Sequence, residues 1–135
     1  MQDSTGMDKR QINPWTWQDK LGFSQAWRLE GAQTLILLAG QSAVAGDGTL
    51  VGEGDFEAQA RQVFANLRTV LRDSGAQLES IFKLVVYLTN IADLPTYERI
   101  VAEVLPGAKP AATAVEVSSL AAPGMMIEVD ATAVL

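Results

Sequence analysis

Apolar residues fall into a few periodic blocks along the chain. Phe56, Ala60, Val63, Phe64, Leu67, Val70 and Leu71 recur at i, i+3, i+4 and i+7 spacing. That is the single apolar stripe of a surface helix, predicted over Phe56 to Ser74. Asp55, after Gly54, suits its N-cap, and Gly75 suits the residue past its end. Glu57, Arg61, Arg68 and Arg72 lie off the stripe and are expected in solvent. A second stripe, Tyr97, Ile100, Val101, Val104 and Leu105, predicts a helix over Leu94 to Leu105. Asp93 can cap it, Pro95 fits its first turn, and Pro106-Gly107 stops it.

The other apolar blocks are shorter and read as strands. Residues 24–29 form the first expected strand. Thr34 to Ala39 is nearly continuous in apolar character, as in a strand buried on both faces. Gly46-Asp47-Gly48 has turn chemistry, and a short strand at Thr49–Val51 is expected after it. Ile81 to Thr89 is β-branched and aromatic. Two more strands, about Ala112–Val117 and Met125–Ala133, close the chain.

Residues 1–14 are polar at the start and are expected to be a loose N-terminal segment. A single domain is expected over 15–135. Trp15 and Trp17 read either as a packed edge segment or as ligand-lining aromatics. The order β-β-(β)-α-β-α-β-β predicts an α+β domain. Two helices can cover only one face of the sheet. Leu35–Leu38 and Leu84–Leu88 are apolar toward both faces, so the open face is expected to meet another subunit.

Composition narrows the chemistry. The 135 residues suit one domain, and a 48% hydrophobic content supports a real core. The net charge of −6 argues against nucleic acid as a partner. Cysteine and histidine are absent, so neither a thiolate nucleophile nor a Cys/His metal site can form. Acid–base work falls to carboxylates, Lys, Tyr or water. The first residues lack a secretory apolar core, and no run approaches 18 apolar residues. A cytoplasmic protein without membrane contact is therefore expected.

Gly52-Glu53-Gly54 before a helix is a possible anion loop, but Glu53 and Asp55 would repel an anion, so a plain turn and cap is the better reading. The acids near the end are more informative. Glu116, Glu128 and Asp130 lie on the last two strands, and no Lys or Arg follows Lys109. Alternation puts Ala112, Ala114 and Glu116 on one face, and Glu128 with Asp130 on a shared face. The two strands are expected to be neighbours, and the acids either sit solvated at strand ends or line a cleft and orient water.

Several stretches together resemble one family. They are Gly22-Phe23-Ser24-Gln25-Ala26, Leu38-Ala39-Gly40-Gln41, Gln59 to Val63 with Asn66-Leu67, Lys83 to Asn90, Pro110 to Val117, and Ile127 to Ala131. Over about residues 20–134 the chain resembles the RidA/YjgF family, also called the endoribonuclease L-PSP group. The resemblance implies a chorismate-mutase-like α+β fold, with a mixed sheet, two helices on one face and a homotrimer. It also implies small-molecule clefts between subunits and hydrolysis of reactive enamines or imines without a cofactor.

The family's functional positions are altered here. Ala112 stands where the family has an arginine that grips the substrate carboxylate, with Thr113 beside it. Phe23 replaces a tyrosine, Ala39 a serine, and Asp130 a glutamate. Gly40 and Glu116 are kept. A charge-assisted hydrogen bond of the kind lost at Ala112 contributes about 1.5–3 kcal/mol. The resemblance therefore implies either a hydrolase of altered substrate range, using Asp130 and Glu116 as catalytic carboxylates, or a non-catalytic metabolite-binding trimer. The substrate-binding candidates are Phe23, Ala39, Gly40, Ala112 and Thr113. Ribonuclease activity is disfavoured by the acidic charge and the lack of histidine.

Overall fold

The Asp55 side chain accepts the Ala58 N–H at 3.1 Å and starts helix α1, Phe56–Asp73, in a computed structural model that describes residues 6–135. Phe56, Ala60, Val63, Phe64, Leu67 and Leu71 are buried as the stripe predicts. Val70 is an exception at 37% exposed. Gly75 adopts φ +82°, the left-handed conformation that ends the helix. Helix α2 spans Leu94–Val104 with Pro95 in its first turn. Asp93 makes no side-chain cap to it. Asn90 instead caps the short 3-10 turn Ile91–Asp93 that leads into α2, accepting from Ala92 N.

The main sheet contains β3 (Leu35–Leu37), β4 (Gln41–Ser42), β5 (Ile81–Leu88), β6 (Ala111–Glu116) and β7 (Ile127–Val134). The order is β3-β7-β5-β6, with β4 also pairing to β7. β5 and β6 are parallel, and the pairings to β7 are antiparallel. The α+β class and the mixed sheet are as expected. No strand forms at Thr49–Val51. Only an isolated Val44–Leu50 bridge closes that turn.

Asp8–Ile12 is a strand, β1, and it pairs antiparallel with β2, Ala26–Glu30. The N-terminal segment is thus ordered over these residues, although its side chains are polar. Backbone pairing with β2 holds it, and hydropathy alone gave no sign of that. Residues 1–5 of the expected loose segment lie outside the described residues.

One sheet face packs on the helices. Leu84, Val86 and Leu88 of β5 meet Ile127, Val129, Ala131 and Ala133 of β7 in the buried core. The opposite face carries Val85, Tyr87, Glu128, Asp130 and Thr132, all half-buried, with Leu35 and Leu37 exposed at 63% and 73%. On the outer side of the helices, Arg61 reaches Glu57 at 3.2 Å and Glu103 at 2.9 Å, and Arg99 reaches Glu57 at 2.6 Å. The Arg99 hydrogen bond, then that of Arg61, lowers the Glu57 pKa. Glu57 and Arg61 therefore link α1 to α2 instead of standing free in solvent.

Gln59, within the apolar stripe of α1, is fully buried. Its amide donates to Gly52 O at 3.1 Å and Gly124 O at 2.9 Å, and its carbonyl accepts from Met126 N at 2.9 Å. A buried amide must be satisfied in this way. The result fixes the loop before α1 and the loop before β7 to the same helix.

Candidate functional site

The β1–β2 ribbon docks on the start of β6. Ser24 N donates to Pro110 O at 3.1 Å, and the Ser24 hydroxyl donates to Lys109 O. Gln11 Nε2 donates to the Ser24 hydroxyl at 2.6 Å, and Trp27 Nε1 donates to Lys109 O at 2.7 Å. The Trp27 ring also meets Phe82 edge-on at 5.3 Å. These contacts hold the preceding residues, Leu21 to Phe23, over the space between β6 and α2.

That space is a cleft of about 320 Å³, at the small end of ligand sites. The sheet contributes Leu84, Val86, Ala112 and Ala114, and α2 contributes Tyr97, Glu98 and Val101. Leu21, Gly22 and Phe23 form the ribbon side. Trp17 rests on Phe23 with ring centroids 5.9 Å apart, while Trp15 and Trp17 are 58% and 62% exposed. Neither tryptophan is packed away, and neither lines the cleft itself.

Phe23, Ala112 and Thr113 thus line a single cleft within one chain, and Ala39 and Gly40 do not. The electrostatics of the wall are lopsided. Among the described residues, Glu98 is its only charged residue, and no Lys or Arg lines it. Lys83 Nζ lies 3.5 Å from Thr113 Oγ1. Lys83 and Thr113 belong to the open side of the sheet, since Thr113 pairs with Val85, whereas Ala112 pairs with the buried Leu84. The Tyr97 hydroxyl is buried and, among the described residues, is the only buried side-chain polar atom without a partner. Burial first, then the charge of Glu98, raises its pKa.

Asp130, Ala39 and Gly40 form a second group. Leu37 pairs with Thr132 and Gln41 with Val129. Between these pairs Leu38, Ala39 and Gly40 oppose only Asp130 and Ala131. The strand therefore carries one extra residue, a bulge set against Asp130. Asp130 pairs with Val85, so it faces the open side of the sheet. Glu128 shares that side, and its carboxylate accepts from Ser42 Oγ at 3.2 Å. A Cβ on Gly40 would run into this carboxylate.

Glu116 belongs to neither group. Its carboxylate accepts the Ile91 N–H at 2.9 Å, next to the turn that leads into α2. The expectation that the last two strands are neighbours fails, because β5 lies between β6 and β7. Glu116 pairs with Leu88 on the helix side, while Asp130 faces the other way. The three acids therefore make no common cluster within one chain. No group of His, Cys, Asp or Glu among the described residues is arranged to hold a metal ion. Among the described residues, no helix is long and apolar enough to cross a membrane.

Sequence reasoning missed Tyr97 and Glu98 as wall residues. Tyr97 sits in the apolar stripe of α2 and reads as core. Glu98 is one more polar residue on an amphipathic helix. Only the docking of the ribbon opposite α2 turns that helix surface into a wall.

The family model described as Endoribonuclease L-PSP matches residues 18–135. A RutC family protein of Pyrococcus horikoshii is 33% identical over 111 residues, covering 82% of this chain and 85% of its own. The mitochondrial protein mmf1 of Schizosaccharomyces pombe is 34% identical over 113 residues, covering 82% and 67%. Among solved structures, YyfB of Yersinia pestis, described as a protein of unknown function of the conserved Rid protein family, superposes with a TM-score of 0.85. It is 37% identical and the match covers 94% of this chain and 98% of that one. RidA from an Antarctic Psychrobacter superposes at 0.71 with 26% identity, over 84% and 88%. On the family match and these relatives, the chain belongs to the RidA/YjgF family.

Proposed function

We propose that this protein is a cofactor-independent hydrolase of small imines or enamines, with a substrate range shifted away from carboxylate-bearing 2-imino acids. The observation that carries the reading is the single cleft lined by Phe23 and Ala112, at the positions of the family's tyrosine and arginine, and by Thr113, with no cation on its wall among the described residues. Alanine at 112 offers a substrate carboxylate nothing to pair with, and Glu98 repels it.

The reaction is water addition to the C=N carbon. The carbinolamine so formed loses ammonia and leaves a carbonyl product. Asp130 is the proposed water-orienting group, taking a proton from water and returning it to nitrogen. Asp130 and the cleft lie on opposite sides of one chain's sheet. The proposal therefore needs a homotrimer, in which the open face of one copy brings Asp130 to the cleft of the next. Leu35 and Leu37, exposed on that face, favour such burial.

The test is the decay of an imine generated in situ. The wild type is expected to accelerate decay of a carboxylate-free imine, to lose this in Asp130→Asn, and to act poorly on 2-iminobutanoate. Ala112→Arg is expected to restore 2-iminobutanoate turnover. A monomer in solution would sink the shared site.

A second reading, a non-catalytic metabolite-binding trimer, draws on Glu116. Its carboxylate is taken up by the Ile91 amide and not turned to the cleft. Ligand binding without acceleration of any imine, in wild type and Ala112→Arg alike, would favour it.

A further inference from the structure

The cleft combines an apolar chamber with one carboxylate. Leu84, Val86, Val101 and Phe23 offer dispersion contacts but no hydrogen bonds. Glu98 is the only charged residue on the wall among the described residues, and it is exposed at the rim. Its influence extends inward, since its charge is one of the two causes that raise the pKa of the buried Tyr97 hydroxyl on the same wall. A ligand carboxylate would meet that same negative field. A neutral ligand would gain packing and at most an uncharged hydrogen bond. A cation would gain both packing and attraction.

We propose that the cleft selects a small cationic nitrogen, a protonated primary amine or iminium with a compact uncharged body, and that Glu98 sets this selectivity. The inference rests on reading the cleft as a ligand site, and it names the chemistry of that ligand. Substrate and product fit the same rule, because a protonated imine carries its charge on nitrogen while the carbonyl product carries none. Hydrolysis passes the charge to the departing ammonium, and the neutral carbonyl product would then be released readily. The rival is Lys83, whose ammonium lies 3.5 Å from Thr113 Oγ1 on the opposite side of the sheet from the cleft. If Lys83 swung to the cleft it would clamp a carboxylate instead, and the selectivity would invert.

Three probes of matched shape separate these outcomes: isobutylamine, isobutyl alcohol and isobutyrate. Each is titrated near neutral pH and low salt into full-length protein with 13C-labelled Leu and Val methyls. Shifts are expected at Leu84, Val86 and Val101. The amine is expected to bind about 2–5-fold more tightly than the alcohol, the range of an exposed ion pair, with isobutyrate weakest. Glu98→Gln should reduce the amine's advantage, and in an Asp130→Asn background, which removes the neighbouring copy's carboxylate, it should bring the amine level with the alcohol; Lys83→Gln should leave the order intact. The proposal is overturned if isobutyrate binds as well as the amine, if Glu98→Gln leaves the preference unchanged, if shifts map away from the cleft, or if no probe binds. Turnover is measured separately by imine decay. Amine preference without turnover removes the hydrolase reading alone, and turnover without amine preference removes this inference alone.

Discussion

The Ile91 amide donates to the Glu116 carboxylate at 2.9 Å, across 25 residues of chain. The bond joins the end of β6 to the turn that starts α2, and α2 forms one wall of the cleft. The carboxylate is exposed, so its effect is moderated by water. Glu116→Ala is expected to lower stability by about 0.5–1.5 kcal/mol, a few degrees in Tm. Thermal and urea melts measure it. If imine turnover falls while the melts are unmoved, the carboxylate acts on substrate instead.

The helices and the main strands were legible because their signals are local. The stripe from Phe56 to Leu71 and the cap at Asp55 are written in adjacent residues. The β1 strand was not, because polar Asp8–Ile12 is held by pairing with β2, a long-range fact. The site was legible only in parts, for a related reason. Family resemblance named Phe23, Ala112 and Thr113, and these share a cleft. Grouping Glu116 with Asp130 failed because strand alternation gives a face but not a strand order. Inserting β5 between β6 and β7 separates the two acids. Glu98 carries no sequence signal of its own, since nothing local distinguishes a rim carboxylate from a solvated one.

Gln59 is the buried polar group whose loss should cost most. Gln59→Leu keeps the approximate volume but leaves Gly52 O, Gly124 O and Met126 N without the side chain they bond. An unsatisfied buried backbone group costs about 1–3 kcal/mol, and loop relaxation toward water recovers part of the total. A net loss of about 2–4 kcal/mol is expected in denaturant midpoint at unchanged m-value. A loss under about 1 kcal/mol would mean that these loops are not held through the helix.

Gly40 and Glu128 should be energetically coupled. A Cβ on Gly40 would come within 2.9 Å of Glu128 Cδ and 3.1 Å of its Cγ. The Gly40 backbone is not in a left-handed conformation, so the cost is contact and not strain. The contact is the end of a flexible side chain, which can move aside by giving up its bond from Ser42. Gly40→Ala is expected to destabilise by about 1 kcal/mol, and by much less in a Glu128→Ala background. Additive effects in the double-mutant cycle would show that the bulge tolerates a side chain without displacing Glu128.

Tyr97 supplies a pH prediction with a defined sign. Burial, with a smaller push from Glu98, raises its folded-state pKa above the value of about 10 for a free tyrosine. The folded chain then holds the phenolic proton more tightly than the unfolded chain. Stability is whole below pH of about 10 and falls as pH rises toward the folded-state pKa, because only the unfolded chain ionises there. Tyr97→Phe removes this term. Its hydroxyl has no partner, so near neutral pH the variant is expected to be as stable as wild type or up to about 1 kcal/mol more stable. Urea titrations at pH 8 and pH 11 should show wild type losing more stability than Tyr97→Phe over that interval. Lysine titration is common to both proteins and cancels in the difference. Parallel losses would mean that the Tyr97 hydroxyl has solvent or a ligand as its partner in solution.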